Sequence, residues 1–476
     1  MATFHILNFG CRASQADGAA LKQQLLDAGL QEAASVEQSA VAILNTCTVT
    51  AAADAEVRQF VRRIHRRNPR CRILVTGCYA QRAPEEIARL EGVAWVVGNS
   101  HKHLVSAILS PDRPITHPPE SRIPSPESRT PNPEPRTPNP EPRTPNPESP
   151  APFVLVGEIT EEFHFAPVLA DDRTRPTLKI QDGCDARCSF CIIPAVRGQS
   201  RSLAPEKVLE QVRQLVGAGY QEVVLSGINL GGYGRDLGRR TDFQGMLERI
   251  LGETSIARLR ISSIEPMDVS AALIRLVARE PRMAQHFHVP LQSGCDRILR
   301  RMHRRYWARQ YAERILAIHE QIPRAALGAD VMVGFPGETA EDHAASLRFI
   351  ESLPFTYLHI FPFSARPGTP AATAAGQVNG RVARERSHQI RAVIGTKRQS
   401  YLAAQVGRTL PALTLEEMEE GARVALTTNY LKVVLPGCEI PANRLINVSL
   451  GRVGPGTLFG YVEPEDRRCD AALTAG

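Results

Sequence analysis

The sequence lacks the long apolar runs and leader features of membrane and secreted proteins. Within its 476 residues, no uninterrupted apolar stretch approaches the roughly 18–20 residues that a membrane-spanning helix needs. The first residues, MATFHILNFGC, lack a basic start and a small-residue cleavage site. None of the glycine-rich turns ends in Gly-Lys-Ser or Gly-Lys-Thr, which excludes a nucleotide-binding P-loop. Because membrane-spanning runs and leader features are both lacking, we expect a cytoplasmic protein with no membrane partner.

The ten cysteines are not expected to form disulfide bonds. The cytosol keeps thiols reduced, and a chain of this length that is 43% hydrophobic can build two to four cores without covalent cross-links. Metal ligation is therefore the better explanation for cysteines here. The net charge of +7 suits a polyanionic partner, although many ordinary soluble enzymes share such a charge.

Residues 110–152 have almost no apolar side chains and are rich in proline. The unit Arg-Thr-Pro-Asn-Pro-Glu begins at Arg129, Arg136 and Arg143. Closely spaced prolines forbid both helical and ladder hydrogen bonds, so this segment is predicted to be an extended, disordered linker. It is either a tolerated insertion between two domains or a docking ligand for a partner domain.

Strands that alternate with helices are predicted before this linker. Apolar runs occur at 3–8, 40–44 and 72–76, and helix-like stretches such as 18–28 and 51–67 separate them. This alternation is typical of a parallel α/β sheet. A cysteine follows each run almost at once, as Cys11, Cys47 and Cys78. Because ligand sites of open α/β sheets lie at the carboxyl ends of the strands, we expect the three thiols at that edge.

The alternation resumes after the linker and then changes character near Gln405. Six strand candidates with helices between them predict a partial (β/α)6 barrel, at 177–180, 222–225, 258–262, 287–290, 329–333 and 357–361. Thr339 and Asp342 form a predicted capping box at the start of one of its helices. The last part of the chain has short β-type runs that predict a small antiparallel barrel, at 423–427, 431–435, 444–450 and 458–462.

Three cysteines directly after the first barrel strand carry the strongest chemical signal. Cys184, Cys188 and Cys191 have the spacing C-x3-C-x2-C. Three thiolates can bind three irons of a cubane cluster and leave the fourth iron open for an exogenous ligand. A zinc site remains the alternative, although zinc needs a fourth ligand and more often shows paired C-x2-C motifs.

This cysteine tract resembles the signature of the radical S-adenosylmethionine superfamily, and the whole chain resembles its methylthiotransferase branch. The resemblance implies a methylthiotransferase domain at 1–109, a radical core at 170–400 and a TRAM domain of OB-like barrel form at 403–466. It implies two 4Fe–4S clusters, one on Cys184, Cys188 and Cys191 as the catalytic cysteines, and an auxiliary one on Cys11, Cys47 and Cys78. S-adenosylmethionine would be both radical source and methyl donor.

Glycine-rich turns after several barrel strands are candidate contacts to the cofactor. The turns at 226–234, 292–294 and 334–338 lie where the barrel opens, and each taken alone is only a tight turn. By resemblance they help to bind S-adenosylmethionine. Gly227, Glu265 and Gln292 are the candidate cofactor-binding residues. The remaining cysteines, Cys71, Cys295, Cys438 and Cys469, are predicted to be packing residues or solvent thiols.

The resemblance also implies a substrate and partners. The tract at 192–202 most resembles enzymes that act on N6-threonylcarbamoyladenosine at position 37 of tRNA, whereas residues 12–15, after the first cysteine, match no subgroup. Related enzymes act on isopentenyladenosine in tRNA or on an aspartate of a ribosomal protein, and both stay open as alternatives. The implied partners are the tRNA anticodon stem-loop, an electron donor such as a flavodoxin or ferredoxin, and a sulfur donor. Asn429, Tyr430 and Lys432 resemble a TRAM nucleic-acid surface.

Overall fold

The computed structural model describes residues 3–110, 151–160, 174–238, 241–454 and 456–468. Most of the predicted linker at 110–152 lies outside these ranges, as does Cys469. In the described part of the chain, no helix is both long and apolar enough to cross a membrane.

The N-terminal domain is built on a six-stranded parallel sheet. Its strands are β1 (Thr3–Asn8), β2 (Gln31–Glu32), β3 (Val41–Thr46), β4 (Arg72–Gly77), β5 (Val93–Gly98) and β6 (Phe153–Leu155), in the order β2-β1-β3-β4-β5-β6. The central strand β3 is buried along its whole length, because helices cover both faces of a parallel sheet. Strand β6 follows the proline-rich segment and pairs with β5, so the predicted boundary at residue 109 leaves out one strand of this sheet.

Five helices connect and cover these strands. They are α1 (Arg12–Asp27), α2 (Ala51–Arg67), α3 (Cys78–Arg82), α4 (Pro84–Ala88) and α5 (Val105–Leu109). The bounds of α2 are those predicted from sequence, and the Thr50 side chain caps the helix by accepting a hydrogen bond from the Ala53 N–H. Helix α1 begins six residues earlier than predicted, directly after Cys11.

The predicted partial (β/α)6 barrel is confirmed. Its six parallel strands are β7 (Thr177–Lys179), β10 (Glu222–Ser226), β11 (Arg258–Ile261), β12 (His286–His288), β13 (Ala326–Val333) and β14 (Tyr357–Pro362), and a short antiparallel pair, β8 (Gln181–Asp182) with β9 (Arg201–Ser202), lies beside them. The two three-stranded ladders are joined by a parallel bridge between Ser263 and His288. The strand order therefore follows the chain order.

Helices alternate with the strands of this barrel, and most of them pack on its outside. They are α6 (Ile193–Arg197), α7 (Pro205–Gly217), α8 (Phe243–Glu253), α9 (Ala271–Arg279), α10 (Asp296–Arg301), α11 (Ala308–Gln321), α12 (Ala340–Ser352) and α13 (Gly380–Ala403). The capping box predicted for Thr339 and Asp342 is present at the start of α12. Apolar strand residues such as Leu178, Val223 and Ala329 belong to the core between strands and helices.

Side chains on the opposite face of the barrel strands are mostly polar. Successive residues of a strand point to opposite faces, so the neighbours of the apolar residues face into the barrel. We call the space that they line the lumen, and its polar strand residues are Thr177, Lys179, Glu222, Arg258, Arg260, His286, His288, Asp330, Tyr357 and His359, whereas Val224, Met332 and Phe361 are apolar residues of the same face. Gly328 allows Tyr357 to cross this space, since a Cβ at Gly328 would lie 2.0 Å from the tyrosine ring.

The C-terminal domain is a closed antiparallel barrel with one parallel pair. Its elements are β15 (Thr409–Glu419), β16 (Ala422–Thr427), β17 (Lys432–Leu435), β18 (Leu445–Val453), β19 (Leu458–Val462) and α14 (Pro464–Arg468). The longest strand, β15, was not predicted. Buried arginines of the lumen hold this domain against the amino-terminal ends of the barrel strands: Arg258 donates to the Leu426 carbonyl at 3.1 Å, and Arg260 to the Thr427 carbonyl at 3.3 Å.

The segment predicted to form a nucleic-acid surface is used instead for this docking. Asn429 is 1% exposed and donates to the Arg324 carbonyl at 3.2 Å. Tyr430 enters the base of the lumen, where its ring stacks on His286 with centroids 4.2 Å apart. Of the three predicted residues only Lys432 is exposed, and it pairs with Glu417.

Two buried carboxylates of the N-terminal domain join it to the barrel. Asp17 on α1 accepts hydrogen bonds from Lys179 and from Arg197, the latter at 2.9 Å. Asp54 on α2 pairs with Arg82 of its own domain at 2.9 Å and with Arg366 of the barrel. Since isolated buried charges are costly, each carboxylate gains part of its compensating charge only when the two domains are docked.

We predict that Arg366→Met destabilises the docked protein by about 3 kcal/mol, because it removes one cation from the buried Asp54 carboxylate. The urea midpoint, followed by the fluorescence of the buried Trp95, should fall. The control is Arg67→Ala, which breaks an exposed ion pair with Glu37 and should leave the midpoint unchanged. An unchanged midpoint for Arg366→Met would show that domain docking does not depend on this pair.

Candidate functional site

The three N-terminal cysteines meet at the carboxyl edge of the sheet. Cys11 caps α1, Cys47 follows β3 directly, and Cys78 opens α3 directly after β4. Gly10 adopts φ 103°, and a Cβ there would lie 2.2 Å from the Cys47 Cβ. Only glycine therefore lets the chain bring Cys11 and Cys47 together.

The thiols of this triad differ in their ionisation. A hydrogen bond from the Cys47 thiol lowers the pKa of Cys11, and the positive charge of Arg197 acts in the same direction. Donating that hydrogen bond and being buried both raise the pKa of Cys47. The Cys78 sulfur accepts hydrogen bonds from Arg197 Nε at 3.2 Å and Asn99 Nδ2 at 3.4 Å.

The second triad lies on the loop that follows β8. Burial raises the pKa of Cys184, and it raises the pKa of Cys191 to about 12. Cys188 accepts a hydrogen bond from Arg304 Nη1 at 3.4 Å. The backbone N–H of Ala186 points at the Cys184 sulfur at 3.4 Å. The loop thus presents three thiols, and hydrogen-bond donors point at the sulfurs of two of them, Cys184 and Cys188.

The two triads lie on either side of one apolar contact. Cys78 packs against Ile192 and Val196, which follow Cys191 on the start of helix α6 and the turn before it. The Asn99 side chain also crosses this boundary and donates to the Val196 carbonyl at 2.9 Å. The two cysteine-bearing segments therefore adjoin each other at the domain interface.

Both triads fit a cluster that has one open iron. Each offers three thiols, and the other described cysteines are engaged elsewhere: Cys71 in the N-terminal core near Ser39, Cys295 donating to Asp342 at 3.2 Å, and Cys438 against the C-terminal core. Three thiols without a fourth leave a coordination position for an exogenous ligand.

The three candidate cofactor contacts have different surroundings. Gln292 is 8% exposed, adopts φ 63°, and its Oε1 has no hydrogen-bond partner within the described part of the chain. Such a buried, unpaired acceptor fits a bound ligand with a donor group. Glu265 pairs with Arg304, beside the second triad, and burial raises the pKa of its carboxyl. A Cβ at Gly227 would lie 2.9 Å from Gln181 Oε1, so this glycine allows close packing against the cysteine-bearing loop.

Sequence reasoning missed a buried charge network between the triads. Arg197, at the end of α6, is 2% exposed and binds Asp182 at 3.0 Å as well as Asp17 and Cys78. Burial opposes ionisation of Asp17, but the charges of Lys102, Lys179 and Arg197 outweigh it and lower the pKa of that carboxyl. The signal for this network in the sequence was Arg197 itself, a charged residue at the end of an otherwise apolar five-residue helix.

The lumen below the second triad was also missed. Asp330 Oδ1 accepts hydrogen bonds from His288 Nε2 and His359 Nδ1, both at 3.2 Å, and these bonds lower the pKa of the carboxyl. Arg12, the residue after Cys11, donates to the Tyr430 hydroxyl at 3.2 Å. Residues of all three domains therefore line one space next to Cys11. The signal for this lumen in the sequence was the alternation of polar and apolar residues, His-Phe-His, at 286–288.

Two family models match the chain. One is described as uncharacterized protein family UPF0004 and matches residues 3–98, and the other is the radical SAM superfamily and matches residues 178–350. The chain also resembles a solved structure of the radical S-adenosylmethionine methyltransferase TsrM from Kitasatospora setae, with a TM-score of 0.54 and 14% identity, over 78% of this chain and 77% of that one. That likeness concerns the fold.

Curated relatives cover nearly the whole chain. The threonylcarbamoyladenosine tRNA methylthiotransferase MtaB of Bacillus subtilis is 35% identical over 95% of this chain and 95% of its own length. The protein of the same name from Aquifex aeolicus is 35% identical over 90% of this chain and 95% of its own length. The tRNA-2-methylthio-N(6)-dimethylallyladenosine synthase of Pelotomaculum thermopropionicum is 32% identical over 89% of this chain and 88% of its own length.

In protein prepared without iron, we predict that iodoacetamide alkylates Cys11 faster than Cys47 near neutral pH. Cys11 is exposed and its pKa is lowered, so a larger fraction is the nucleophilic thiolate, whereas Cys47 is buried with a raised pKa. The alkylation rate of Cys191 should keep rising with pH towards its pKa of about 12. Peptide mapping by mass spectrometry measures each rate, and equal rates at Cys11 and Cys47 would contradict the prediction.

Proposed function

Because this chain belongs to the radical S-adenosylmethionine methylthiotransferases that modify tRNA, we propose that its substrate is N6-threonylcarbamoyladenosine at position 37. The product is the 2-methylthio derivative of this nucleoside, which lies beside the anticodon. The observation that carries the choice of nucleoside is the polar lining of the lumen next to Cys11.

The lumen offers charged and hydrogen-bonding groups to the side chain of a modified adenosine. Arg12 lies close enough to act electrostatically on both His286 and Tyr357, and Asp330 is held between two histidines. A threonylcarbamoyl group carries a carboxylate, a hydroxyl and an amide, each of which needs a partner when it leaves water. A dimethylallyl group is apolar and offers these side chains no further hydrogen-bonding partner in exchange for the water that it displaces. The lumen thus favours the threonylcarbamoyl nucleoside.

Cys184, Cys188 and Cys191 are the residues that we assign to the radical-generating site. A 4Fe–4S cluster bound there with S-adenosylmethionine supplies the 5′-deoxyadenosyl radical. Arg304 orients this site by donating to Cys188 and pairing with Glu265. The unpaired Gln292 Oε1 is the acceptor for a donor group of the cofactor, and Gly227 keeps the loop close to the strand ends.

Cys11, Cys47 and Cys78 are the residues that we assign to the sulfur-donating site. A second 4Fe–4S cluster bound there supplies an open iron for the exogenous sulfur that is transferred. The packing of Cys78 against Ile192 and Val196 keeps this site next to the radical site. An electron donor such as a flavodoxin or ferredoxin and a sulfur donor complete the reaction.

With iron, sulfide, reductant and S-adenosylmethionine, we predict that the protein methylthiolates tRNA carrying N6-threonylcarbamoyladenosine. Mass spectrometry of the nucleosides from digested tRNA should detect the 2-methylthio product. A matched tRNA that carries isopentenyladenosine should give at most about one tenth of that yield. Product from the isopentenyl tRNA alone would assign the other tRNA substrate. Methylthiolation of a ribosomal-protein aspartate without tRNA product would overturn the proposal.

The two triads should be separable by substitution. Cys184→Ala is expected to abolish 5′-deoxyadenosine formation, whereas Cys78→Ala should retain it and lose the methylthio product, because the two sites do different chemistry. Each variant should bind about half the iron of the parent protein. Cys295→Ala, whose thiol bonds to Asp342, is the control with both products retained. Chromatography of the nucleosides measures both products, and loss of 5′-deoxyadenosine in Cys78→Ala would refute this division of roles.

A further inference from the structure

We propose that Arg197 stabilises negative charge at the auxiliary cluster by donating a hydrogen bond to the Cys78 sulfur, and thereby raises the reduction potential of that cluster. The inference rests on the proposed function, because it requires a cluster on Cys11, Cys47 and Cys78. Arg197 lies in the radical core, in the helix that follows Cys191. The radical core would therefore tune the cluster of the other domain.

Arg197 has the geometry of a fixed donor. Its Nη1 binds both carboxylate oxygens of Asp182, at 3.0 and 3.1 Å, and its Nη2 binds Asp17 at 2.9 Å. Its Nε is left to face the Cys78 sulfur at 3.2 Å. With both terminal nitrogens held by carboxylates, the planar guanidinium cannot turn the Nε–H away from the sulfur.

The charge of Arg197 is permanent and poorly hydrated at this place. The side chain is 2% exposed, so water screens its charge little. An arginine cannot lose its proton in a protein, which makes the positive charge independent of pH. Cys78 is 2% exposed as well. A thiolate at Cys78, as iron ligation requires, therefore meets a guanidinium that water screens little and whose charge is shared with Asp17 and Asp182.

Hydrogen bonds and positive charge at a cluster sulfur favour the more negative form of the cluster. Reduction adds one electron, and binding of an anionic sulfur at the open iron adds negative charge in the same way. The reductant supplies that electron, and no proton or bond is exchanged with Arg197. Loss of the directed Nε–H should therefore shift the midpoint potential of the auxiliary cluster to a more negative value.

Arg197 also forms an interdomain salt bridge. The test must therefore separate its effect on the reduction potential of the cluster from its effect on the docking of the two domains. Arg366 provides the matched control, because it too is a buried barrel arginine that pairs with an N-terminal carboxylate, Asp54, but donates to no described sulfur. Asn99, the neutral donor to Cys78, provides a second comparison. If docking alone mattered, Arg197 and Arg366 substitutions would act alike.

The experiment uses the full chain with Cys184, Cys188 and Cys191 replaced by alanine, so that only the auxiliary cluster remains. In this background we compare Arg197→Gln, Arg197→Lys, Asn99→Leu and Arg366→Gln by a redox titration with dithionite, monitored by electron paramagnetic resonance. Arg197→Gln is expected to fold, because Lys102 still pairs with Asp17, and Lys179 with both Asp17 and Asp182. Iron content and circular dichroism check this.

We expect the largest negative shift for Arg197→Gln, a smaller one for Arg197→Lys, which keeps the charge but loses the directed Nε–H, and the smallest for Asn99→Leu and Arg366→Gln. An unmoved potential in Arg197→Gln, or an equal shift in Arg366→Gln, overturns the inference. If Arg197→Gln does not hold iron, an unmoved potential in Arg197→Lys overturns it. A background protein that binds no cluster at all refutes the two-cluster function instead, before any arginine is changed.

Discussion

The buried carboxylate of Asp17 is the constraint on which the arrangement of the two cysteine triads depends. It is nearly inaccessible to water and accepts hydrogen bonds from Lys102 of its own domain and from Lys179 and Arg197 of the barrel. A charge taken out of water must be compensated, so docking of the domains and satisfaction of this charge occur together. The distance between the triads is thereby set by an ionic network, which tolerates little sliding because hydrogen bonds are directional.

Sequence reasoning predicted the elements whose signal is local. The bounds of β1, α2 and β19 match the prediction, because the apolar pattern that defines each element lies within its own segment. Strand ends also predicted that Cys11, Cys47 and Cys78 share one sheet edge, whereas the binding of clusters by the six cysteines stays a prediction. Arg197 was missed because its partners are remote: Cys78 is 119 positions away and Asp17 is 180. The polar face of the barrel strands was missed because an alternation such as His-Phe-His at 286–288 extends over a strand of only three residues.

The C-terminal barrel has a structural role that its sequence did not reveal. Tyr430 adopts φ 65° and places its ring beneath the lumen, against His286 and within hydrogen-bond reach of Arg12. Glu222 and the arginines beside it lie at the same junction. The positive charge of these arginines outweighs the effect of burial and lowers the pKa of Glu222 to about 2. A motif expected to face RNA therefore closes the floor of the barrel.

The sixth strand of the N-terminal sheet has a consequence for the proline-rich repeats. The chain leaves this domain after α5, at Leu109, and returns to it as β6, where residues 153–155 pair with 95–97 of β5. Both ends of the insert are thus clamped to one sheet. The entropy of closing a loop grows only logarithmically, by about 0.6 kcal/mol for each doubling of its length. Gain or loss of one repeat unit between these two anchored ends would therefore change the free energy of unfolding by well under about 1 kcal/mol.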